Sequence, residues 1–508
     1  MQLSKQNLKN ISSKDGVVIP SEELFALPEK VVQFGTGVLL RGLPDYFIDQ
    51  ANKLGIFNGR IVAVKSTLNG GTDDFGRQDG LYTLIVRGIE GNKKTEEFNI
   101  NSSISRVLSA KEDWGSVLDC AHNPDLQIII SNTTEVGITL VEDDIRMFPP
   151  HSFPGKLLSF LYERYKAFNG SSESGLVIIP TELITDNGTK LQSIVLELAK
   201  MNKLEDAFGK WLQSTSHFCN SLVDRIVPGK LPGNDRINIE KKLGYEDELM
   251  IMAESFRLWA IETENERVKK ILSFAEADQG VVIAACIEVF RELKLRLLNG
   301  THTFSCGLAF LAGFGTVREA MGNSHMSSFI HNLALNEIAV AMSDENISYS
   351  KAHNFAGKVM DRFKNPFIDH SWINITAQYS SKMKMRNVPL LIKHYANYSN
   401  VPDHMALGFA AYLLFMKCTK NAKGKYCGCV NGAAYEVQDD HAGYFAEKWE
   451  DHDADSLTET VLEDKNFWGT DLSKLNGFSE AVKMNLRSLL KNGIMTTIRH
   501  IQLNKTIA

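Results

Sequence analysis

Apolar residues fall in short, mostly continuous runs through the first half of the chain and at helical spacing through the second. Val31 to Phe34, Ile61 to Val64, Leu126 to Ile130 and Leu176 to Ile179 are apolar runs with polar or glycine residues at their ends. Runs of this length and composition predict strands buried on both faces. Helical patterns such as Leu43 to Leu54 lie between them, so the first half predicts a mainly parallel sheet of the α/β class. Beyond about Val289 the strand signals fade and long amphipathic patterns take over. A division into 1–288 and a mostly α-helical 289–508 follows, with the junction a natural place for a small-molecule site. The longest apolar runs, Met405 to Met416 and Cys306 to Val317, fall short of the roughly 20 residues that a membrane-spanning helix needs. They read as buried helices.

The first run leads directly into Gly35-Thr36-Gly37-Val38-Leu39-Leu40-Arg41. Strand, glycine turn and helix stand in the order of a dinucleotide-binding unit. Gly35 allows the tight turn, and Gly37 lets the backbone approach a pyrophosphate at the helix N-terminus. Leu40 replaces the third glycine of that pattern, which leaves a plain strand-to-helix turn as the alternative. The second strand ends in Lys65-Ser66-Thr67, where an acid would face the adenosine ribose, so NADP stays open beside NAD. Ligands of open α/β sheets bind beyond the carboxyl ends of strands. That directs attention to Ser131-Asn132-Thr133-Thr134-Glu135 and to Asp186-Asn187-Gly188, although Asn187 before a glycine is equally a turn residue.

The stretch Lys294 to His302, KLRLLNGTH, gathers an ammonium, a carboxamide and an imidazole. A lysine with a depressed pKa serves as general base, and its protonated form returns the proton. On a continuous α-helix, at about 100° per residue, Lys294 and Asn299 project about 140° apart, and Asn299 and His302 about 60° apart. The three groups then share no face. The expectation is that Asn299-Gly300 interrupts or ends the helix and lets them converge. The bland alternative is a helix C-cap with Lys294 complementing the dipole.

Composition narrows the classes. A chain of 508 residues with 44% hydrophobic and 23% charged residues is globular and long enough for two large domains. A net charge of -6 gives no electrostatic reason to expect nucleic acid or an anionic membrane as partner. No apolar core near the start resembles a secretory signal, and seven cysteines without regular spacing suit a reducing cytoplasm. Cys418, Cys427 and Cys429 cluster but lack a fourth ligand and the C-x-x-C spacing of a zinc site, so loop thiols are the simpler reading. Oligomeric state is not written in the sequence.

Several motifs in one order carry a resemblance: QFGTGVLLR from Gln33, QDGLYT from Gln78, SNTTE from Ser131, SLVDRI from Ser221, and the K-x-x-x-x-N-G-x-H run. Over nearly its whole length the chain resembles the polyol-specific long-chain dehydrogenases, also called the mannitol dehydrogenase family. Three longer stretches, VVQFGTGVLLRG, HNPDLQIIISNTTEVGI and YEVQDDHA, are most similar to its members that reduce sugar acids. The resemblance implies an N-terminal Rossmann-type domain, a helical C-terminal domain and a zinc-independent hydride transfer with NAD. It implies Lys294 as catalytic acid and base, Asn187 and Asn299 as donors to the reacting oxygen, and His302 as an active-site residue. The cofactor would lie on Gly35, Thr36, Gly37, Val38, Leu39, Arg41, Lys65 and Asn132.

One departure bears on the substrate. Family members that act on polyols carry an arginine in an R-I-A run, where this chain has Asn374 in INITAQ; downstream stand Lys382, Lys384 and Arg386. A sugar acid brings a carboxylate, which a guanidinium holds with two charge-assisted hydrogen bonds. Arg386 is the expected clamp and Lys384 the alternative, against cations that simply face water. Asp224 and Arg225 shape the pocket or form a structural ion pair. The competing functions are action on an epimeric sugar acid, a neutral-polyol dehydrogenase, and a nucleotide-binding sensor without catalysis.

Overall fold

Alternate residues of the short apolar strands enter opposite cores. The computed structural model describes residues 1–12, 16–66, 72–133 and 137–506, the last five by backbone alone. Thr67, Thr134 and Glu135 of the motifs above lie outside the described residues. The chain divides into two units, Met1–Gly88 with Lys93–Glu288, and Ile89–Asn92 with Val289–Ala508.

In the first unit a six-stranded sheet comprises β1 (Glu29–Phe34), β2 (Arg60–Lys65), β3 (Ile104–Ser109), β4 (Ile128–Ser131), β5 (Val177–Pro180) and β6 (His217–Phe218). Its order is β3-β2-β1-β4-β5-β6 and every pairing is parallel. This is the doubly wound dinucleotide-binding order, whose direction reverses between β1 and β4. Val31, Ile61, Ala63, Ile128, Ile130 and Ile179 enter one core. Val32, Phe34, Val62, Val64, Ile129 and Ile178 enter the other, which accounts for the mostly continuous apolar runs. Two further sheets belong to this unit. The strands Tyr82–Glu90 and Lys93–Asn101 pair with Val17–Val18 and Ile251–Glu254, while Ser221–Asp224, Leu258–Glu262 and Val281–Ala284 form a third sheet.

The helix expected from Leu43 to Leu54 is present as Pro44–Lys53, and a separate short helix precedes it. Val38–Gly42 is helical, Leu43 breaks the helix at φ -135° and ψ -78°, and Pro44–Lys53 starts afresh. Proline disfavours helical backbone in the residue before it and suits the first helical position, so the break falls at Leu43.

The second unit is helical apart from a small sheet of Thr419–Lys420, Tyr426–Val430 and Ala433–Glu436. The apolar run from Met405 is the buried helix Asp403–Phe415. Three stretches, Lys294–Gly300, Leu333–Ile338 and Met383–Asn387, are π-helical. Such turns are rare and concentrate at functional sites. The middle one has a structural use, because the Glu337 carboxylate accepts His404 N at 2.9 Å, His404 Nδ1 at 2.6 Å and Met405 N at 2.9 Å, capping the Asp403 helix. No helix among the described residues is long and apolar enough to cross a membrane, and no three or more His, Cys, Asp or Glu residues are grouped to hold a metal ion.

Beneath the glycine turn lies a fully buried carboxyl, Asp45. Gln33 Nε2 donates to Gly35 O at 3.2 Å and to Asp45 Oδ2 at 3.4 Å, while Gln33 Oε1 and Asp45 Oδ1 have no hydrogen-bond partner. Burial pushes the Asp45 pKa up to about 8, against the opposing pull of Arg41 and Gln33. Protonation gives this acceptor-rich site a donor. The folded state then holds a proton that the unfolded chain releases near pH 4, so this group makes stability fall as pH rises from about 4 to about 8. Asp45→Asn, which stays neutral, is expected to flatten the decline in unfolding midpoint between pH 6 and pH 8. Parallel profiles for the two proteins would show that Asp45 is ionised in the fold.

Candidate active site

The glycine turn of the first unit is held open from below. Gly35 has φ +136°, and a Cβ there would lie 2.6 Å from Leu40 Cδ1. Its N–H donates to Val64 O at 2.9 Å, tying the turn to β2. Leu40 is thus the residue that packs under Gly35, which is why a leucine stands where the dinucleotide pattern has its third glycine. Gly37 is exposed and a Cβ on it would meet nothing within 4 Å, so its backbone is open to a phosphate. Thr36, Val38 and Leu39 are half-buried along the same turn.

Arg41, expected among the residues that hold the cofactor, is turned into the protein. It is 5% exposed, donates through Nη1 to Leu249 O at 2.6 Å and through Nε to Thr36 O at 3.3 Å, and packs on Phe75 and Tyr82. Tyr82 in turn donates to Arg41 O at 2.7 Å. The guanidinium fastens the turn from inside. QDGLYT has a similar use, since Gln78 Nε2 donates to Asp247 Oδ1 at 2.7 Å and Asp247 Oδ2 accepts Thr83 N at 2.5 Å. Lys65 ends β2 half-buried.

At the carboxyl ends of β4 and β5 a residue that the sequence reading missed, Glu182, organises the rim. Its carboxylate accepts Thr133 N at 2.8 Å, Thr133 Oγ1 at 3.1 Å and Ser131 Oγ at 3.2 Å. Asn132 Nδ2 reaches across to Thr181 Oγ1 at 3.0 Å. The signal was present as an acid directly after the β5 run, in IIPTE.

Asn187 requires a correction. Its Nδ2 shares two hydrogens among Pro180 O, Glu182 O and Ser221 O, each at 3.0 Å, and its Oδ1 accepts Gly188 N and Ser221 N at 2.9 Å. The carboxamide is fully buried and fully occupied, so it has no hydrogen left for a substrate oxygen. Arg225 donates to the backbone at Glu254 O (2.9 Å) and Gly42 O (2.6 Å) and lies over the Tyr46 ring, while its Nη2 is buried without a partner. Asp224 is buried at the end of its strand.

In the second unit the helix does not end at Asn299-Gly300. It runs from Glu288–Leu293 through the π-helical Lys294–Gly300 into Thr301–Leu311. A π-turn advances roughly 80° per residue rather than about 100°. Asn299 and His302 then project roughly 40° to either side of Lys294, so widening the helix achieves what a break was expected to do. Gly300 permits a close neighbour, as a Cβ there would lie 3.3 Å from both Asn387 Oδ1 and Leu390 Cδ1. Lys294 and Asn299 are half-buried. The Asn299 carboxamide hydrogen-bonds no group among the described residues, in contrast to Asn187.

Around His302 the unit assembles a cationic cluster. His302 is 7% exposed, with ring centroids of Phe363 at 4.1 Å, His370 at 5.1 Å and Trp372 at 5.9 Å. Burial, followed by the charges of His370, Arg362, Arg386 and Lys382, holds its pKa well below the usual imidazole range, so the ring is neutral. Arg386 donates through Nη1 to Thr303 Oγ1 at 3.3 Å, and Lys382 through Nζ to Ile375 O at 3.0 Å. Burial lowers the pKa of both. Three buried nitrogens here have no partner: His302 Nδ1, Trp372 Nε1 and Arg386 Nε. No carboxylate among the described residues pairs with Arg386, Lys382, His370 or His302. Lys384 is exposed and is not among the charges felt by His302; Lys382 occupies the place expected of it. Arg362, His370 and Lys382 are distant in sequence from the KLRLLNGTH run, and no local pattern marks them.

Comparison with known proteins accounts for both halves. The Mannitol dehydrogenase Rossmann domain matches residues 29–272, and the Mannitol dehydrogenase C-terminal domain matches residues 286–490. Altronate oxidoreductase of Bacillus subtilis (strain 168) is 36% identical over 93% of this chain and 95% of its own. That of Halalkalibacterium halodurans is 35% identical over 93% of each. Among solved structures, Pseudomonas fluorescens mannitol 2-dehydrogenase, in ternary complex with NAD and D-mannitol, shares the fold with a TM-score of 0.65 at 22% identity, covering 99% of both chains. A doubly wound nucleotide-binding sheet, a helical second unit and this sequence kinship together make the chain a member of the mannitol dehydrogenase family, an oxidoreductase of the polyol and sugar-acid dehydrogenase kind.

Proposed function

We propose that the chain catalyses the reversible NAD-dependent reduction of tagaturonate to altronate, without a metal ion. The observation that carries this reading is the cationic cluster gathered around His302, which stands on the helix of Lys294 and Asn299. A neutral polyol offers such a cluster no counter-charge, whereas a sugar acid brings a carboxylate. The kinship with altronate oxidoreductases supports the same substrate class.

The exposed backbone at Gly37, the turn from Gly35 to Leu39, and the half-buried Lys65 and Asn132 would hold the nucleotide. When bound, NAD supplies or accepts the hydride. Lys294 gives its proton to the carbonyl oxygen during reduction and takes it back during oxidation. Asn299, whose carboxamide hydrogens are uncommitted, donates to that oxygen as charge builds on it. His302, kept neutral, bonds a substrate hydroxyl rather than acting as an acid. Arg386 holds the carboxylate, with Lys382 beside it.

Purified protein given reduced cofactor and tagaturonate is expected to consume nicotinamide absorbance faster than with fructuronate or with fructose. A preference for fructuronate would move the assignment to the mannonate-forming reaction, and turnover of fructose alone would defeat the sugar-acid reading. Lys294→Ala is expected to retain NADH binding and lose about a hundredfold or more in turnover. Near wild-type turnover would remove Lys294 from the mechanism. Arg386→Ala should raise KM for the keto acid about tenfold or more while leaving KM for NADH in place, and an unchanged acid preference would eliminate the clamp. Asn299→Ala should cost on the order of a hundredfold in kcat, whereas Asn187→Ala should lower the unfolding temperature by removing the buried hydrogen bonds of its carboxamide.

A further inference from the structure

The cluster around His302 contains two imidazoles in different surroundings. His302 is enclosed between Phe363 and Trp372 and almost free of solvent. His370 stands edge-on to it at 5.1 Å and is only half-buried. Every element packed there presents a charge or a titratable group. Arg362 comes from the helix Tyr349–Phe363, while Lys382 and Arg386 come from the segment Tyr379–Asn387. Arg362 and Lys382 act on His370 directly, and with burial they depress its pKa. Asp369 pairs with Arg318 at 2.8 Å, and Asp439, which acts on Lys382, accepts Ser380 N at 2.6 Å. Cys306 and Tyr379 are buried, and burial keeps both neutral.

We propose that His370 is a specificity-determining residue, which takes up a proton as a carboxylate enters this cluster and then holds that carboxylate together with Arg386. An anion among Arg362, Lys382 and Arg386 offsets the cationic field that, after burial, keeps the imidazoles neutral. Two rings at this separation do not both charge, because each imidazolium repels the other. The proton goes to the half-buried ring, where the cost of desolvating a charge is lower. His302 stays neutral, with Nδ1 free to bond a sugar hydroxyl. Binding that takes up a proton strengthens as pH falls, so the acid is favoured over a neutral polyol increasingly as pH drops through neutrality. A polyol brings no charge and gains nothing from the ring. This inference rests on the sugar-acid reading for the carboxylate alone and requires neither tagaturonate specificity nor the role of Lys294.

The test is calorimetric titration of the NADH-saturated protein with altronate, an abortive pair in which no hydride can move. It is run at pH 7 in two buffers of different ionisation enthalpy, with altritol as the neutral counterpart. Wild type is expected to take up a substantial fraction of a proton per altronate and none with altritol. In His370→Gln that uptake disappears, altronate binding at pH 6.5 weakens about tenfold, and affinity for NADH and altritol stays unchanged, which also shows the variant to be folded. Altronate binding in wild type without proton uptake overturns the inference, as does uptake that persists in His370→Gln. The two proposals fail separately. If wild type does not oxidise altronate but binds mannonate with an uptake that His370→Gln abolishes, the tagaturonate assignment falls and the inference stands. If altronate is oxidised with no proton linkage, the reverse holds. Sugar acids bound no more tightly than altritol would defeat both.

Discussion

The side chain of Arg296 fastens one π-helical turn to another, and the candidate site of the second unit depends on that fastening. Its Nη1 donates to Met385 O at 2.7 Å and to Arg386 O at 2.8 Å, while Glu292, one turn back, holds the other side of the guanidinium at 3.0 Å. Asn387 Nδ2 reaches back to Gly300 O at 3.4 Å. A π-turn gives up the compact i→i+4 ladder, so it persists where outside groups make up for what it loses. Here the carbonyls of Met385 and Arg386 find a cation, and Gly300 leaves room for Asn387. The consequence is geometric. One widened turn swings Asn299 and His302 toward the side of Lys294, and the other delivers the Arg386 guanidinium to Thr303 and His302.

The two units use their buried cations and amides differently. In the first, Arg41, Arg225 and Asn187 bond mainly to backbone carbonyls, so they rigidify the turn and the strand ends. In the second, His302, Trp372 and Arg386 keep unpaired buried nitrogens, and several cations gather with no carboxylate paired to Arg386, Lys382 or the imidazoles among the described residues. Buried donors without partners and concentrated like charge both cost free energy. An anionic, hydroxyl-rich ligand offsets both at once. Stability is given up where binding needs unmatched groups.

Much of the architecture was legible because its signals are local. Strands buried on both faces must be apolar at consecutive positions, so four of the six strands of the main sheet stood out as runs. Lys93–Asn101 did not, because Lys93 to Glu97 are exposed or half-buried and the strand reads as polar at its start. The glycine turn was legible because φ +136° at Gly35 admits almost no other residue. The Lys294, Asn299 and His302 set was legible as chemistry, but the π-turn that aligns them was not, since it depends on Arg296 meeting carbonyls some 90 residues away. Arg41 and Asn187 misled because a motif position does not say whether a side chain is already engaged, and Lys384 because spacing alone did not show that it faces outward.

By itself, then, the sequence determined the class of fold, the place of the nucleotide turn and the kinds of groups that do chemistry, because hydrophobic periodicity and backbone strain are properties of neighbouring residues. Tertiary structure alone decided which polar groups remain free. It spent Asn187 and Arg41 on carbonyls, turned Lys384 outward, and brought Arg362, His370, Lys382 and Arg386 from separate segments to one imidazole. Hydrogen-bond capacity and electrostatic fields are set by what lies nearby in space, and for these residues the neighbours come from distant parts of the chain.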